Sequence, residues 1–95
     1  MEPHEGAQRR EVYYSGRVQG VGFRYTARSI AQQFAVTGYV KNLPDSRVEL
    51  VVEGPSEEIR AMLRAIQVEM GHYVRDVRET PSQATGVFSS FDVRY

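Results

Sequence analysis

Gly16-Arg17-Val18-Gln19-Gly20-Val21-Gly22-Phe23-Arg24 lies where the chain changes from a two-residue to a 3.6-residue apolar period. Before it, Val12, Tyr14, Gly16 and Val18 alternate with Tyr13, Ser15 and Arg17, which predicts a first strand over residues 12–18. After it, Phe23, Ala27, Ile30, Ala31 and Phe34 recur at spacings of three and four, which predicts a helix ending near Ala35. The stretch is therefore a strand-to-helix turn. On the plain reading its three glycines only relieve crowding in that turn. A second reading makes it an anion site. Glycine lets backbone approach a ligand, and a helix N-terminus offers free N–H groups and the positive end of the dipole. Phosphate is the usual anion in such a place. On this reading the cradle is the backbone of Gln19, Gly20, Val21, Gly22, Phe23 and Arg24, and the Arg24 fork matches phosphate bidentately.

Working outward, residues 38–41 read as a second strand and Asn42-Leu43-Pro44-Asp45-Ser46 as a turn. Residues 47–53 alternate well, with Val48, Leu50 and Val52 facing in and Arg47, Glu49 and Glu53 facing out. The two strands so joined make an antiparallel hairpin. Gly54-Pro55-Ser56-Glu57-Glu58 has the proline and the early acids of a helix start. Ile59, Met62, Leu63, Ile66 and Met70 form the stripe of that helix, and Gly71 stops it. A fourth strand is predicted over residues 72–80, a loop over 81–86, and a last short strand supported by Phe88, Phe91, Val93 and Tyr95. Both helices must bury their stripes on one sheet face, which leaves the other face polar and wet. The order fits an α+β fold of the ferredoxin-like split βαβ type (βαββαβ), an antiparallel sheet with two helices on one face.

Ninety-five residues make one small domain. Residues 1–10 lack periodicity and read as a mobile N-terminal tail holding a solvated His4; residues 11–95 form the domain. The tail has no apolar segment of the secretory kind, and no run is long enough to span a bilayer. The formal net charge is +0, so neither nucleic acid nor an anionic membrane is favoured as a partner. With no cysteine there is no disulfide, thiolate metal site or thiol nucleophile, which fits a reducing compartment. A cytoplasmic monomer without metal or cofactor is expected. His72 has no partner in the sequence for catalysis or metal binding, and Tyr13 and Tyr14 read as packing residues.

The turn is not a P-loop, because no Gly-Lys-Ser or Gly-Lys-Thr closes it. The spacing of Gly16, Gly20 and Gly22 is wrong for a dinucleotide fingerprint, and the predicted sheet is antiparallel. An RNA-binding ribonucleoprotein motif would place aromatic residues on a central strand, yet residues 47–53 contain none. Lys41-Asn42 falls where the second strand runs into its hairpin. Asn42 is either a turn former or, if the sheet brings it near the glycine turn, a second member of a site.

Ser15-Gly16-Arg17-Val18-Gln19-Gly20-Val21-Gly22-Phe23-Arg24, Gly38-Tyr39-Val40-Lys41-Asn42, Asp45, Val48-Glu49, Glu53-Gly54 and Phe91-x-Val93 together resemble the acylphosphatase family. The resemblance covers residues from about 12 to 95. It implies a ferredoxin-like enzyme that cleaves acyl phosphates without metal, with Arg24 binding phosphate and Asn42 orienting the attacking water. Ser46 stands where the family's hairpin turn usually has glycine, Ala35 where its first helix often ends in glycine, and residues 71–75 lack its usual proline and alanine. The chemistry suits these side chains. An acyl phosphate carries a good carboxylate leaving group and needs no protein nucleophile, only held phosphoryl oxygens. An amide such as that of Asn42 does not titrate near neutral pH, so it can hold a water but not act as its base. A noncatalytic anion-binding module on the same fold is the alternative; it would need the cradle but not Asn42.

Overall fold

The computed structural model describes residues 7–95. The chain runs β1 (Ala7–Gly16), α1 (Phe23–Ala31), β2 (Thr37–Asn42), β3 (Val48–Pro55), α2 (Ser56–Met70), a single 3₁₀ turn (Gly71–Tyr73), β4 (Val74–Gln83) and β5 (Phe91–Arg94). The strands form one sheet in the order β4-β1-β3-β2-β5. It is the ferredoxin-like layout, with both helices packed on one face.

Alternation along the central strands builds the core. Val12 and Tyr14 of β1, Val48, Leu50 and Val52 of β3, and Val40 of β2 point to the helices and are buried. They meet Phe23, Ala27, Ile30 and Ala31 of α1 and Ile59, Met62, Ile66 and Met70 of α2. Each large side chain so buried contributes roughly 1.5–3 kcal/mol of transfer free energy.

Four expectations are corrected. The strand predicted from residue 12 begins at Ala7, since Ala7 to Arg10 pair with the segment Pro55 to Val52 of β3; residues 7–10 are sheet, not tail. The rest of the expected tail, with His4, lies outside the described residues. Second, β5 pairs parallel with β2, so the antiparallel description holds only for the other four strands. After β4, residues 84–90 carry the chain to the opposite edge, where it must enter in the direction of β2. Third, His72 sits in the 3₁₀ turn rather than in a strand, and β4 extends through Pro81 to Gln83. Proline is tolerated there because β4 is an edge strand.

The fourth correction concerns the face turned away from the helices, which is not uniformly wet. Glu53 points out of the core as predicted but is only 4% exposed, because the crossing segment covers it. Its carboxylate accepts from the Thr85 N–H and hydroxyl, the Gly86 N–H and the Arg9 guanidinium. Nearby, the Tyr13 and Tyr39 hydroxyls both donate to Glu49, at 3.0 and 2.9 Å. Arg47 stacks over Tyr13 and Arg94 over Tyr39.

Burial alone would raise the Glu53 pKa, but the hydrogen bonds from Thr85 and Gly86 and the Arg9 guanidinium outweigh it and hold it below the ordinary 4.5. A depressed folded pKa contributes stability that is present above the unfolded value and lost as pH falls through the folded one. Urea unfolding is therefore expected to show stability declining on acidification below about pH 4.5, with Glu53→Gln flattening that decline. Ser46 is the one non-glycine residue with positive φ among those described, at 78° in the β2–β3 turn. A left-handed backbone crowds its Cβ, whereas glycine there costs only unfolded-state entropy. Ser46→Gly is expected to raise stability by about 0.5–1 kcal/mol, read from the urea midpoint. Ala35, by contrast, takes no such conformation, and its N–H donates to Glu58.

Candidate functional site

The site forms where β1 runs into α1 and β2 runs into its hairpin. β1 and β2 both lie antiparallel to β3 and flank it, so they point the same way and their C-terminal ends reach the same end of the sheet. Gly22, at φ 80°, is the N-cap of α1, and its carbonyl accepts the first helical bond from Thr26 at 3.0 Å. Gly20 has φ 77°. A Cβ at either position would meet nothing within 4 Å, so these glycines serve backbone conformation rather than tight packing. Among the described residues, none of the backbone N–H groups of residues 19–25 donates to a backbone carbonyl. This is the orphan set that every helix start leaves, extended backwards into a glycine turn.

Val18, Gly20, Gly22, Phe23, Arg24, Tyr25 and Asn42 line one cleft of about 270 Å³. The sheet thus brings Asn42 to the glycine turn. The Asn42 Oδ1 atom is buried and has no hydrogen-bond partner. Such an atom is costly unless something polar meets it. The Arg24 Nη1 atom donates to the Arg94 carbonyl at 3.1 Å, and the guanidinium carbon lies 4.8 Å from the centroid of the Tyr95 ring. The arrangement can surround a tetrahedral oxyanion with N–H donors and one guanidinium, and can offer an amide oxygen to a species beside it.

Not every predicted site residue turns toward this cleft. The side chain of Gln19 donates to the carbonyls of Leu43 and Arg47, both at 2.9 Å. It pins the glycine turn to the hairpin and so fixes Asn42 against it. Val21 packs on the core edge, and Phe23 is a core residue, 2% exposed and 4.9 Å from the Tyr14 ring. Gln19 and Val21 line a separate cleft with Gly16, Arg17, Ser46 and Tyr73, not the one that holds Arg24 and Asn42. Sequence reasoning missed Arg94, whose hydrogen bond with Arg24 spans 70 residues, and its neighbour Tyr95. It also missed Tyr25, whose adjacency to Arg24 was the available signal. Among the described residues no group of three or more His, Asp or Glu side chains is placed to hold a metal ion, and no helix is long and apolar enough to cross a membrane. A larger groove of about 610 Å³ lies on the outer side of the helix layer, bordered by Ile30, Arg60, Arg64 and Val68. It holds no unpartnered buried polar atom.

The model of the acylphosphatase family matches residues 10–93. The chain is 40% identical over 87 residues to the acylphosphatase of Archaeoglobus fulgidus, covering 90% of this chain and 96% of that one. It is 48% identical over 62 residues to the acylphosphatase of Trichormus variabilis, a match spanning 65% of this chain and 61% of the relative. In three dimensions it is similar to an acylphosphatase from Coxiella burnetii, with a TM-score of 0.84 and 30% identity over 99% of this chain and all of that one. Sequence and fold agree, from the glycine turn to the last strand, that this chain belongs to the acylphosphatase family.

Proposed function

We propose that the protein hydrolyses acyl phosphates to a carboxylate and inorganic phosphate, and that the cleft between the glycine turn and Asn42 is where it does so. The observation that carries this reading is the cleft that gathers Gly20, Gly22, Phe23, Arg24 and the orphaned Asn42 oxygen, at a helix start where the N–H groups of residues 19–25 meet no backbone carbonyl. Family membership supplies the reaction class.

The phosphoryl oxygens accept from the backbone of Gln19, Gly20, Val21, Gly22, Phe23 and Arg24 and from the Arg24 guanidinium. The helix dipole adds to the attraction. A water held by Asn42 attacks phosphorus in line with the acyl oxygen. The new bond joins the water oxygen to phosphorus, and the bond from phosphorus to the acyl oxygen breaks. The leaving carboxylate takes the electron pair, and the water proton passes to a phosphoryl oxygen of the substrate. Asn42 stays neutral throughout. No protein nucleophile is used, and the donors of the cradle meet the shifting negative charge that a metal would otherwise neutralise. The cleft is small and holds few groups to grip the organic part, so tolerance of the acyl chain is broad. We read the enzyme as a cytoplasmic monomer. Absence of cysteine suits a reducing compartment, and of the large exposed apolar residues Val68, Val77 and Val87 lie on separate segments while Tyr25 and Tyr95 pair with each other.

Benzoyl phosphate hydrolysis in the presence of EDTA is the direct assay, and undiminished turnover is expected. Arg24→Ala should lose about 10²–10³ in rate, the usual worth of a preorganised donor to transition-state charge. Near-normal turnover by a folded Arg24→Ala protein would remove Arg24 from the role. Asn42→Ala should lower kcat far more than it raises KM, because holding the water matters mainly in the transition state. The reverse pattern would make Asn42 a binding residue. Phosphate binding with no turnover by the wild type would identify a noncatalytic anion-binding module.

A further inference from the structure

Arg24 is the central cation of the cleft, yet its own helix does nothing to hold its guanidinium. What holds it comes from the far end of the chain. The Arg94 carbonyl accepts from Nη1 at 3.1 Å, and the Tyr95 ring lies under the guanidinium with 4.8 Å between Cζ and the centroid. Tyr95 is 82% exposed, so core packing does not fix its ring. Its hydroxyl instead shares a hydrogen bond with the hydroxyl of Tyr25, itself 57% exposed. Arg24 and Tyr25 are neighbours in the first turn of α1, and Arg94 and Tyr95 are neighbours at the end of β5. The four residues close a ring of contacts beside the cleft that Arg24 and Tyr25 line.

This ring leaves the guanidinium well placed for an anion. The carbonyl occupies one of its five N–H donors and the tyrosine occupies one of its faces, so an edge with further donors remains open. A free arginine would have to surrender rotamer freedom when an anion arrived, whereas a held one has surrendered it in advance. We propose that the Tyr25–Tyr95 hydroxyl pair, with the Arg94 carbonyl, is a strap that preorganises Arg24 for the phosphoryl group. Tyr25 and Tyr95 are then positioning residues, acting through Arg24 without touching the reacting atoms. The inference rests on the proposed role of Arg24 as the phosphate clamp.

The test compares Tyr95→Ala, Tyr95→Phe, Tyr25→Phe and the double phenylalanine variant, each alone, and Tyr95→Ala again in the Arg24→Ala background. Two substrates, acetyl phosphate and benzoyl phosphate, are used with a titration by inorganic phosphate. Tyr95→Ala should lower kcat/KM by about five- to tenfold on both substrates alike and weaken phosphate binding by a similar factor, with the melting temperature unchanged. Tyr95→Phe keeps the ring and should lose only about twofold, Tyr25→Phe should match it, and the double variant should be no worse than either single one. In the Arg24→Ala background, Tyr95→Ala should change nothing further. A loss confined to benzoyl phosphate would make Tyr95 a contact for the acyl group and overturn the strap. So would full additivity with Arg24→Ala, or no effect at all. Should the wild type turn over neither substrate, the enzymatic reading fails by itself. The phosphate titration of the wild type and Tyr95→Ala then still decides whether the strap exists.

Discussion

A helix that starts directly from a glycine turn leaves its first N–H groups without acceptors, and the rest of this molecule is arranged around where they point. Backbone donors are costly to leave unmet, and most folds cap them with a side-chain oxygen. Here the N-cap is Gly22, which has no side chain to offer. The positive end of α1 therefore opens onto a cleft, and the sheet supplies what surrounds it. β2 brings Asn42 to the same end, and the Gln19 amide holds the two turns together through the Leu43 and Arg47 carbonyls.

The far edge of the sheet completes the arrangement. The chain leaves β4 at one edge and must cross the face opposite the helices to reach β2 at the other. Glu53 secures that crossing, because its carboxylate gathers Thr85, Gly86 and Arg9 at a place the segment covers. With the crossing fixed, Phe91 and Val93 pair beside Gly38 and Val40 in parallel register. That register delivers Arg94 and Tyr95 to Arg24. A buried carboxylate at one end of β3 and a guanidinium at the other end of the sheet are linked in this way, by the path of one strand.

Much of this was legible in the residues. Alternation in β3 and the helical stripes of α1 and α2 fixed the core, since period two and period 3.6 are the direct imprint of a buried face. The glycine turn and Arg24 stood out because three glycines gather where the apolar period changes from two to 3.6. Asn42 is ambiguous in the sequence, because an asparagine at a strand end is as much a turn former as a ligand; the fold adds that it shares a cleft with the glycine turn. The residues that escaped are those whose role depends on distant partners. Glu53 reads as one more outward acid in an alternating strand, and only the covering segment makes it buried. The parallel entry of β5 has no local signature, and neither has the contact of Tyr95 with Arg24. Ser46 was visible as a departure from the family's usual glycine, and its positive φ gives that departure a physical meaning.

The central claim is that the cradle and Arg24 hold the phosphoryl group while a water on Asn42 attacks phosphorus rather than the acyl carbon. Hydrolysis of benzoyl phosphate in ¹⁸O-labelled water, under single-turnover conditions and followed by mass spectrometry of both products, separates the two. The account predicts that the label enters inorganic phosphate and that benzoate carries none. Label in benzoate would place the attack on carbon and contradict it.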